Sequence, residues 1–348
     1  MIVCSRCHRE YEGLHWQCEC GGPLERREDV CFQKEGLPPV CSLWRYEQYL
    51  GTEKKVSFNE GMTPIVLIDD CYYKMDFLFP TGSFKDRGTT VMMSELAKSI
   101  DCIVEDSSGN AGASVAAYAA RADVTAEIYV PAYASKGKIS QIEAFGAHIC
   151  SVEGTREDTK KAALKRADTM FYASHQWNPH FLEGMKTAAY EIAEQFNWDA
   201  PDTVVMPIGS GSLFYGVYKG FNHLFNSGVI AEIPHLIGVQ PELCSPVYNE
   251  VNSLPPQCGK SIAEGLLVEN PPRLKEISTV IKKHGDIVVV SEEEIRRGLK
   301  RAVKMGLFIE PTSAVVMAAL ERMHLSKSTV ALLTGSGLKA ADELRTLL

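Results

Sequence analysis

Three times along the chain an apolar, β-branched run ends in a turn of glycine and serine that opens a helix-like stretch. The first run, 102–104, leads through Asp106-Ser107-Ser108-Gly109-Asn110-Ala111-Gly112-Ala113-Ser114 into an alanine-rich segment, 115–121. The second, 203–208, ends at Gly209-Ser210-Gly211-Ser212-Leu213, and the third, 329–333, runs into Thr334-Gly335-Ser336-Gly337-Leu338-Lys339. Strand, small-residue turn and helix in alternation build parallel sheets covered by helices. Further strands are expected at 127–130, 148–152, 235–240 and 287–290, with helices at 89–98, 112–121, 137–145 and 157–166. The predicted fold is α/β, with two lobes, each a mostly parallel sheet flanked by helices. Ligands of such sheets bind at the carboxyl ends of strands, where all three turns fall.

Upstream of this alternation lies Phe79-Pro80-Thr81-Gly82-Ser83-Phe84-Lys85-Asp86-Arg87-Gly88. Helical spacing begins directly after it, so Lys85 is placed near a helix start. The backbone N–H groups and dipole of such a terminus favour a neutral amine, as does partial burial. A neutral amine is a nucleophile able to form a Schiff base. Lysines are mostly solvated surface residues, and the three glycine-rich turns are what weigh against that plainer role.

The run PTGSFKDRG, followed in order by SSGNAGAS, the glycine and serine turn at 209–213, and TGSGLK, resembles threonine synthase and its relatives among the fold-type II pyridoxal phosphate enzymes. The similarity takes in Glu60-Gly61-Met62-Thr63-Pro64 and Glu310-Pro311-Thr312-Ser313-Ala314, and so nearly the whole chain. It implies that Lys85 holds the cofactor aldehyde as a Schiff base and then serves as the base that moves the substrate's α-proton. It implies that Gly209, Ser210, Gly211, Ser212 and Leu213 wrap the phosphate at a helix N-terminus, that Asn110 donates to the ring hydroxyl, and that Thr334 faces the pyridine nitrogen. A hydroxyl does not hold that nitrogen protonated as a carboxylate does, which suits elimination and replacement better than transamination. Plainer roles stand beside these: a connector at 209–213, a turn residue at Asn110, a strand-end cap at Thr334. The family loop often has asparagine where Ser210 and Leu213 stand, so this cradle is closer to that of the serine and threonine dehydratases.

Candidate substrate contacts are Thr81, Ser83, Ser107, Ser108, His175, Gln176, Phe181 and Lys186. In threonine synthases an Asn-Ser pair and an arginine grip the substrate phosphate. Here the corresponding stretch reads His175-Gln176-Trp177-Asn178-Pro179-His180-Phe181-Leu182-Glu183-Gly184-Met185-Lys186-Thr187, with His175 and Gln176 at the pair and Phe181 at the arginine. Phenylalanine offers no donor to a phosphate. Either Lys186, Arg87 or His180 compensates, or the substrate carries no phosphate there. Trp177 and Phe181 either line an apolar pocket or pack a lobe interface. The resemblance thus implies a lyase acting on an amino acid, with O-phosphohomoserine to threonine as the leading reaction. A serine or threonine dehydratase and a β-replacement synthase are the alternatives. A catalytically silent amino-acid-binding protein is a further one, disfavoured by the intact Lys85.

At the N-terminus, Cys4-Ser5-Arg6-Cys7 and, ten residues on, Cys18-Glu19-Cys20-Gly21-Gly22 can offer Cys4, Cys7, Cys18 and Cys20 as the four thiolates of a structural zinc site. The one-residue gap of the second pair is shorter than usual, so four ordinary thiols remain the alternative. Some threonine synthase relatives carry a similar ribbon. His8 and His15 are spare candidates or surface residues. The other cysteines of the eleven, in a chain without a secretory start, read as reduced thiols rather than a disulfide framework.

The 348 residues, 45% hydrophobic, leave room for one large or two medium domains. The expected division is a cysteine-rich segment 1–36, a large cofactor-binding lobe 37–88 with 184–348, and a small lobe 89–183. A short helix at 43–50 and strands at 55–58, 65–68 and 72–78 lead to the lysine motif. No apolar run is long enough to span a membrane, and the start lacks a signal-peptide core, so a cytoplasmic protein is expected. A net charge of −8 argues against nucleic acid and anionic membranes as partners. A small amino acid is the expected ligand and a homodimer the candidate assembly.

Overall fold

The computed structural model describes residues 1–134 and 136–348, and the chain divides into two compact units. The first comprises residues 1–29, 40–61 and 85–184; the second comprises 30–39, 62–84 and 185–348. Residues 40–61, expected with the large lobe, lie in the first unit, and side chains explain why. Trp44 Nε1 donates to Glu60 Oε1 at 2.9 Å and to Thr90 Oγ1 at 3.1 Å, and the Val56 N–H donates to Ser94 Oγ at 2.9 Å.

The first unit holds a four-stranded parallel sheet in the order His148–Val152, Thr125–Pro131, Cys102–Glu105, Phe171–Tyr172. Helices Lys85–Leu96, Asn110–Ala122, Lys136–Ala144, Arg156–Arg166 and the start of Pro179–Gln195 accompany it. Arg156–Arg166 begins with a capping box, the Thr155 hydroxyl and Asp158 carboxylate each bonding the other's backbone N–H. Ahead of this sheet a separate antiparallel ribbon pairs Ile2–Cys4 with Glu10–Tyr11 on one side and Leu24–Arg26 on the other. Its small core is Ile2, Cys4, Tyr11, Cys18 and Leu24.

The second unit is built on a six-stranded sheet in the order Gly285–Val290, His235–Pro241, Thr203–Pro207, Thr329–Leu332, Cys71–Lys74, Ile65–Ile68. All neighbours are parallel except the last pair, an edge hairpin. Strands buried on both faces need no polar alternation, and the burial of all five residues of Thr203–Pro207 agrees. The helix Pro311–Leu320 is buried nearly all round. It packs Val315 and Met317 into a core with Val205, Val239 and Ala331 of the sheet and Ile295 and Leu299 of the helix Glu292–Lys304.

Several sequence expectations are corrected. Residues 55–58 form no strand, because the Lys55 and Val56 N–H groups bond Ser94 Oγ and the Val56 carbonyl accepts from Thr90, which leaves no ladder to join. The strand expected over 72–78 ends at Lys74. A 3-10 turn Asp76–Leu78 follows, tied by Thr63 Oγ1 to Asp76 Oδ1 at 2.7 Å. The helix expected from 89 begins four residues earlier, at Lys85 itself, and the short helix near 43 is of the 3-10 kind, Leu43–Tyr49. Cys244 and Cys258 are joined in a disulfide across an isolated antiparallel bridge, the intervening chain turning back through Pro246–Val251. The all-thiol expectation is therefore corrected at that pair, while the other nine cysteines are free. Among the described residues, no helix is long and apolar enough to cross a membrane.

Candidate active site

In the first unit, Lys85 is the first residue of the helix Lys85–Leu96 and is half-buried. Its carbonyl accepts from Thr89 Oγ1 at 3.0 Å. Ser114 Oγ, on the neighbouring helix, lies 2.8 Å from Thr89 Oγ1 and donates to Asp86 Oδ1 at 2.6 Å. This buried hydroxyl and carboxylate chain fixes the first turn around the lysine. Asn110 opens the helix Asn110–Ala122 directly after the Ser107-Ser108-Gly109 turn, where Ser107 Oγ accepts from the Gly109 N–H at 3.3 Å. Ser107 is buried and Ser108 and Asn110 are half-buried. The first N–H groups of such a helix lack intrahelical acceptors and face anions well.

The sheet register adds a residue that sequence reasoning missed. Val104 pairs with Tyr172 and the Ala173 N–H donates to the Val104 carbonyl at 2.8 Å, which brings Glu105 at the end of one strand beside His175 beyond the other. Glu105 Oε1 lies 2.6 Å from His175 Nδ1. The His175 ring meets the Phe181 ring edge-on at 6.0 Å, and Lys85 Nζ lies 5.9 Å from the Phe181 centroid. Burial, with the neighbouring Asp106 charge, pushes the Glu105 carboxyl well above its ordinary range. Burial, with the Lys85 and Arg156 charges, pushes His175 well below its own. A glutamate closing an apolar strand reads as a solvated strand end, and only the partner strand's register could have shown otherwise.

Phe181 and Trp177 part ways. Phe181 is fully buried against Lys85 and His175, whereas Trp177 packs with Trp16 of the ribbon at 6.2 Å. Gln176 is half-buried, with its N–H directed to Ser174 Oγ at 3.4 Å. His180 lies near Glu95 and Lys98, at and just beyond the far end of the helix Lys85–Leu96. Burial, opposed by Glu95 and aided by Lys98, lowers its pKa to about 4. It therefore offers no positive charge near the lysine at neutral pH. Arg87 is fully buried in the same helix as Lys85, and Lys186 is fully buried in the second unit.

In the second unit, Gly209, Ser210 and Gly211 turn the chain from Thr203–Pro207 into the helix Ser212–Asn226. Gly211 has φ 84°, and a Cβ there would come within 2.0 Å of Ile277 Cδ1. At Gly209 it would meet the Gly265 carbonyl oxygen at 2.9 Å. Both positions thus demand glycine. Ser210 and Ser212 hydroxyls lie 3.4 Å apart and Leu213 is buried in the first turn. Thr334 is fully buried with Oγ1 3.1 Å from Ser313 Oγ, and Ser313 Oγ also accepts from the Thr334 and Gly335 N–H groups. The Phe84 N–H donates to the Thr334 carbonyl at 2.9 Å, so the residue just before Lys85 is tied to the Thr334 strand end. Thr81 is buried, its carbonyl accepting from Lys339 Nζ at 3.0 Å. Ser83 is buried beside Gly335, and its hydroxyl has no hydrogen-bond partner.

These residues fit pyridoxal phosphate. In the first unit an amine begins a helix; in the second, a turn of two glycines around Ser210 leads into a helix N-terminus, and an unsatisfied buried hydroxyl at Ser83 is of the kind that a polar ligand satisfies. Residues 56–335 match the family described as "Pyridoxal-phosphate dependent enzyme". The chain belongs to that family. It is similar to the threonine synthase of Methanocaldococcus jannaschii, 31% identical over 375 aligned positions that cover 97% of this chain and 93% of the relative. It is also similar to the threonine synthase of Bacillus sp. (strain ULM1), 32% identical over 86% of this chain and 90% of that one. Among solved structures, maize serine racemase superposes with a TM-score of 0.70 at 20% identity, covering 82% of this chain and 92% of the other. The processed threonine deaminase isoform 2 of Solanum lycopersicum gives 0.71 at 20%, covering 82% and 87%. These likenesses carry the fold, that of the fold-type II enzymes of this family.

The ribbon forms the other candidate site. The Sγ atoms of Cys4, Cys7, Cys18 and Cys20 all lie within 4.8 Å of one another, with 3.6 Å between Cys4 and Cys20 and 3.4 Å between Cys7 and Cys18. Zinc at about 2.3 Å from each sulfur of a tetrahedron sets them about 3.8 Å apart, so the cluster fits that ion. The N–H groups of Arg6 and Cys7 point at Cys4 Sγ, at 3.4 and 3.5 Å, and the Tyr11 hydroxyl donates to Cys18 Sγ at 3.1 Å. Such bonds stabilise thiolate charge.

Proposed function

We propose that this chain is a lyase of the threonine synthase type, in which an amino acid activated beside Lys85 loses or exchanges an oxygen-linked side-chain group, O-phosphohomoserine to threonine being the leading reaction. The observation that carries this reading is the end-to-end similarity to curated threonine synthases, 31% over 97% of the chain. Pyridoxal phosphate, when bound, withdraws electrons from the substrate's α-carbon. The chain supplies the rest. Lys85 holds the cofactor and moves the α-proton; Gly209, Ser210, Gly211, Ser212 and Leu213 bind its phosphate; Asn110 and Thr334 orient its ring. Ser107 and Ser108, with the helix N-terminus at Asn110, orient the substrate. The four ribbon cysteines hold a structural zinc ion.

A second reading, a dehydratase or replacement enzyme for an unphosphorylated amino acid, is favoured by Phe181. A phosphate dianion against that ring would lose its water without a charged partner, at a cost of several kcal/mol. The test is to incubate the holoenzyme separately with O-phosphohomoserine, L-threonine and L-serine. Threonine and inorganic phosphate from the first support the leading reading. Ammonia and a keto acid from the others support the second. Spectral changes without product in all three would leave a silent amino-acid binder.

A further inference from the structure

A ring of the ribbon reaches the edge of the four-stranded sheet. Trp16, between the two cysteine pairs, stands edge-on to Tyr172 at 5.0 Å and to Trp177 at 6.2 Å, and packs against the cluster of Val104, Ala163, Met170 and Tyr172. Tyr172 ends the two-residue edge strand, which pairs with the sheet at Ile103 and Val104. Its hydroxyl, kept protonated by burial and by the Asp106 and Glu105 charges, donates to Asp106 Oδ1 at 2.6 Å. Asp106 leads directly into the Ser107-Ser108-Gly109 turn, which is therefore held at two points. Tyr172 grips the Asp106 carboxylate, and the Ser107 carbonyl lies against Gly112, where an added Cβ would come within 1.9 Å of its oxygen. A second turn lies between the two rings that Trp16 touches. The Trp177 and Asn178 N–H groups both donate to the Ser174 carbonyl, at 3.2 and 2.9 Å, which folds His175 and Gln176 back on themselves.

We propose that Trp16 is a positioning residue for the amino-acid substrate: by holding Tyr172 and Trp177 together, it keeps the Ser107-Ser108 turn and the His175-Gln176 turn in the arrangement that receives the substrate. This rests on the lyase reading, in which Ser107 and Ser108 orient the amino acid, and deepens it by giving the ribbon a part in substrate binding. Turns tied to a sheet by so short a strand open locally unless packing restrains them. Where the competent arrangement is populated only part of the time, apparent affinity falls by that fraction. An edge-to-face ring pair and a hydrogen bond to a carboxylate are each strong enough to shift such a population about tenfold. The ordering is complete once the substrate is bound, so KM should carry the loss and the maximal rate should not.

The experiment measures exchange of the α-hydrogen with heavy water in holoenzyme, with L-threonine and O-phosphohomoserine as parallel probes, and takes KM and the maximal rate for each. Tyr172→Phe keeps the ring and removes only the hydroxyl. Its KM is expected to rise about tenfold, with the maximal rate within about threefold of native. Trp16→Ala should raise KM at least as far, and Trp16→Phe, which keeps an aromatic edge against Tyr172, should bring it back to within about threefold of native. Backbone deuterium exchange of the same holoenzymes, followed peptide by peptide, should quicken in Trp16→Ala across 104–112 and 171–178. Quickening confined to 1–29 with KM unchanged, or a fall in the maximal rate with KM unchanged, overturns the inference. If Trp16→Ala does not fold, Tyr172→Phe decides, and a KM within about twofold of native there overturns it. Failure of the native holoenzyme to exchange the α-hydrogen of either probe would instead overturn the lyase reading, and deuterium exchange of the two turns would still test the brace.

Discussion

The surroundings of Lys85 and the turn at 209–213 are built from different materials, which suits the two different demands of the proposed function. The turn and its neighbour Thr334 use backbone N–H groups, glycines and hydroxyls and contain no titratable side chain. Around Lys85, buried titratable groups crowd together: Asp86, Glu105 and His175, with His180 at the far end of the helix Lys85–Leu96. Holding a permanent anion calls for fixed dipoles whose strength does not change. Moving a proton calls for groups whose protonation can change, and such groups are costly to bury. The difference teaches that sensitivity to substitution should be steric in the second unit and electrostatic in the first.

The largest effect should come from Lys85→Ala, which removes the base and the cofactor's attachment together. Turnover is expected to fall by at least about 10⁴-fold and the visible absorption of the lysine-bound cofactor to vanish, with far-ultraviolet circular dichroism unchanged. Near-native turnover in this variant would break the assignment of Lys85. Next comes acid sensitivity of the first unit. His180 is an ordinary imidazole when unfolded, near 6.5, and falls to about 4 when folded. Between those values only the unfolded chain binds the proton, so stability drops as pH falls from 6.5 towards 4, by about 1.4 kcal/mol per unit for this group. Denaturant melts of native protein and His180→Gln should converge at neutral pH in slope against pH and diverge below 6.5. Parallel curves throughout would remove His180 from the account.

Gly211→Ala probes the steric half of the contrast. Its positive φ and the contact with Ile277 should cost about 1 to 3 kcal/mol, read as a weaker hold on pyridoxal 5'-phosphate in equilibrium dialysis, with little change in the pH profile of what activity remains. A shifted pH profile would show that the two regions are not so cleanly divided. The smallest effect expected is a gain. Phe181→Arg should improve the rate on O-phosphohomoserine relative to threonine about tenfold, through a charge-assisted contact worth about 1.4 kcal/mol. Efficient phosphate use by the native enzyme, with no gain in the variant, would mean that the phosphate is held elsewhere.

The same contrast governs what could be read from the sequence. The glycine-rich turns were legible because a turn that must clear Ile277 and the Gly265 carbonyl admits only glycine, and contiguous residues carry the whole device. The alternating strands, and Lys85 at a helix start, were legible for the same local reason. Glu105 was not, because its contact with His175 exists only through the pairing of Val104 with Tyr172, sixty-odd residues away. The placement of 55–58 failed likewise: a β-rich tetrapeptide gives no hint that Ser94 and Thr90 will take its backbone bonds. Trp177 and Phe181, four residues apart and chemically alike, could be separated only by seeing that one meets Trp16 and the other Lys85.

Trp16 belongs to the ribbon, yet its ring stands edge-on to Tyr172 at 5.0 Å and near Trp177, over the two-residue strand that edges the sheet. The ribbon is thus also a cover. A protease that nicked the chain after residue 29, or any loosening of the ribbon, would uncover two large aromatic rings beside a two-residue strand. Exposed rings and an open sheet edge are what neighbouring molecules adhere to, so such a chain should betray itself by clumping in concentrated solution.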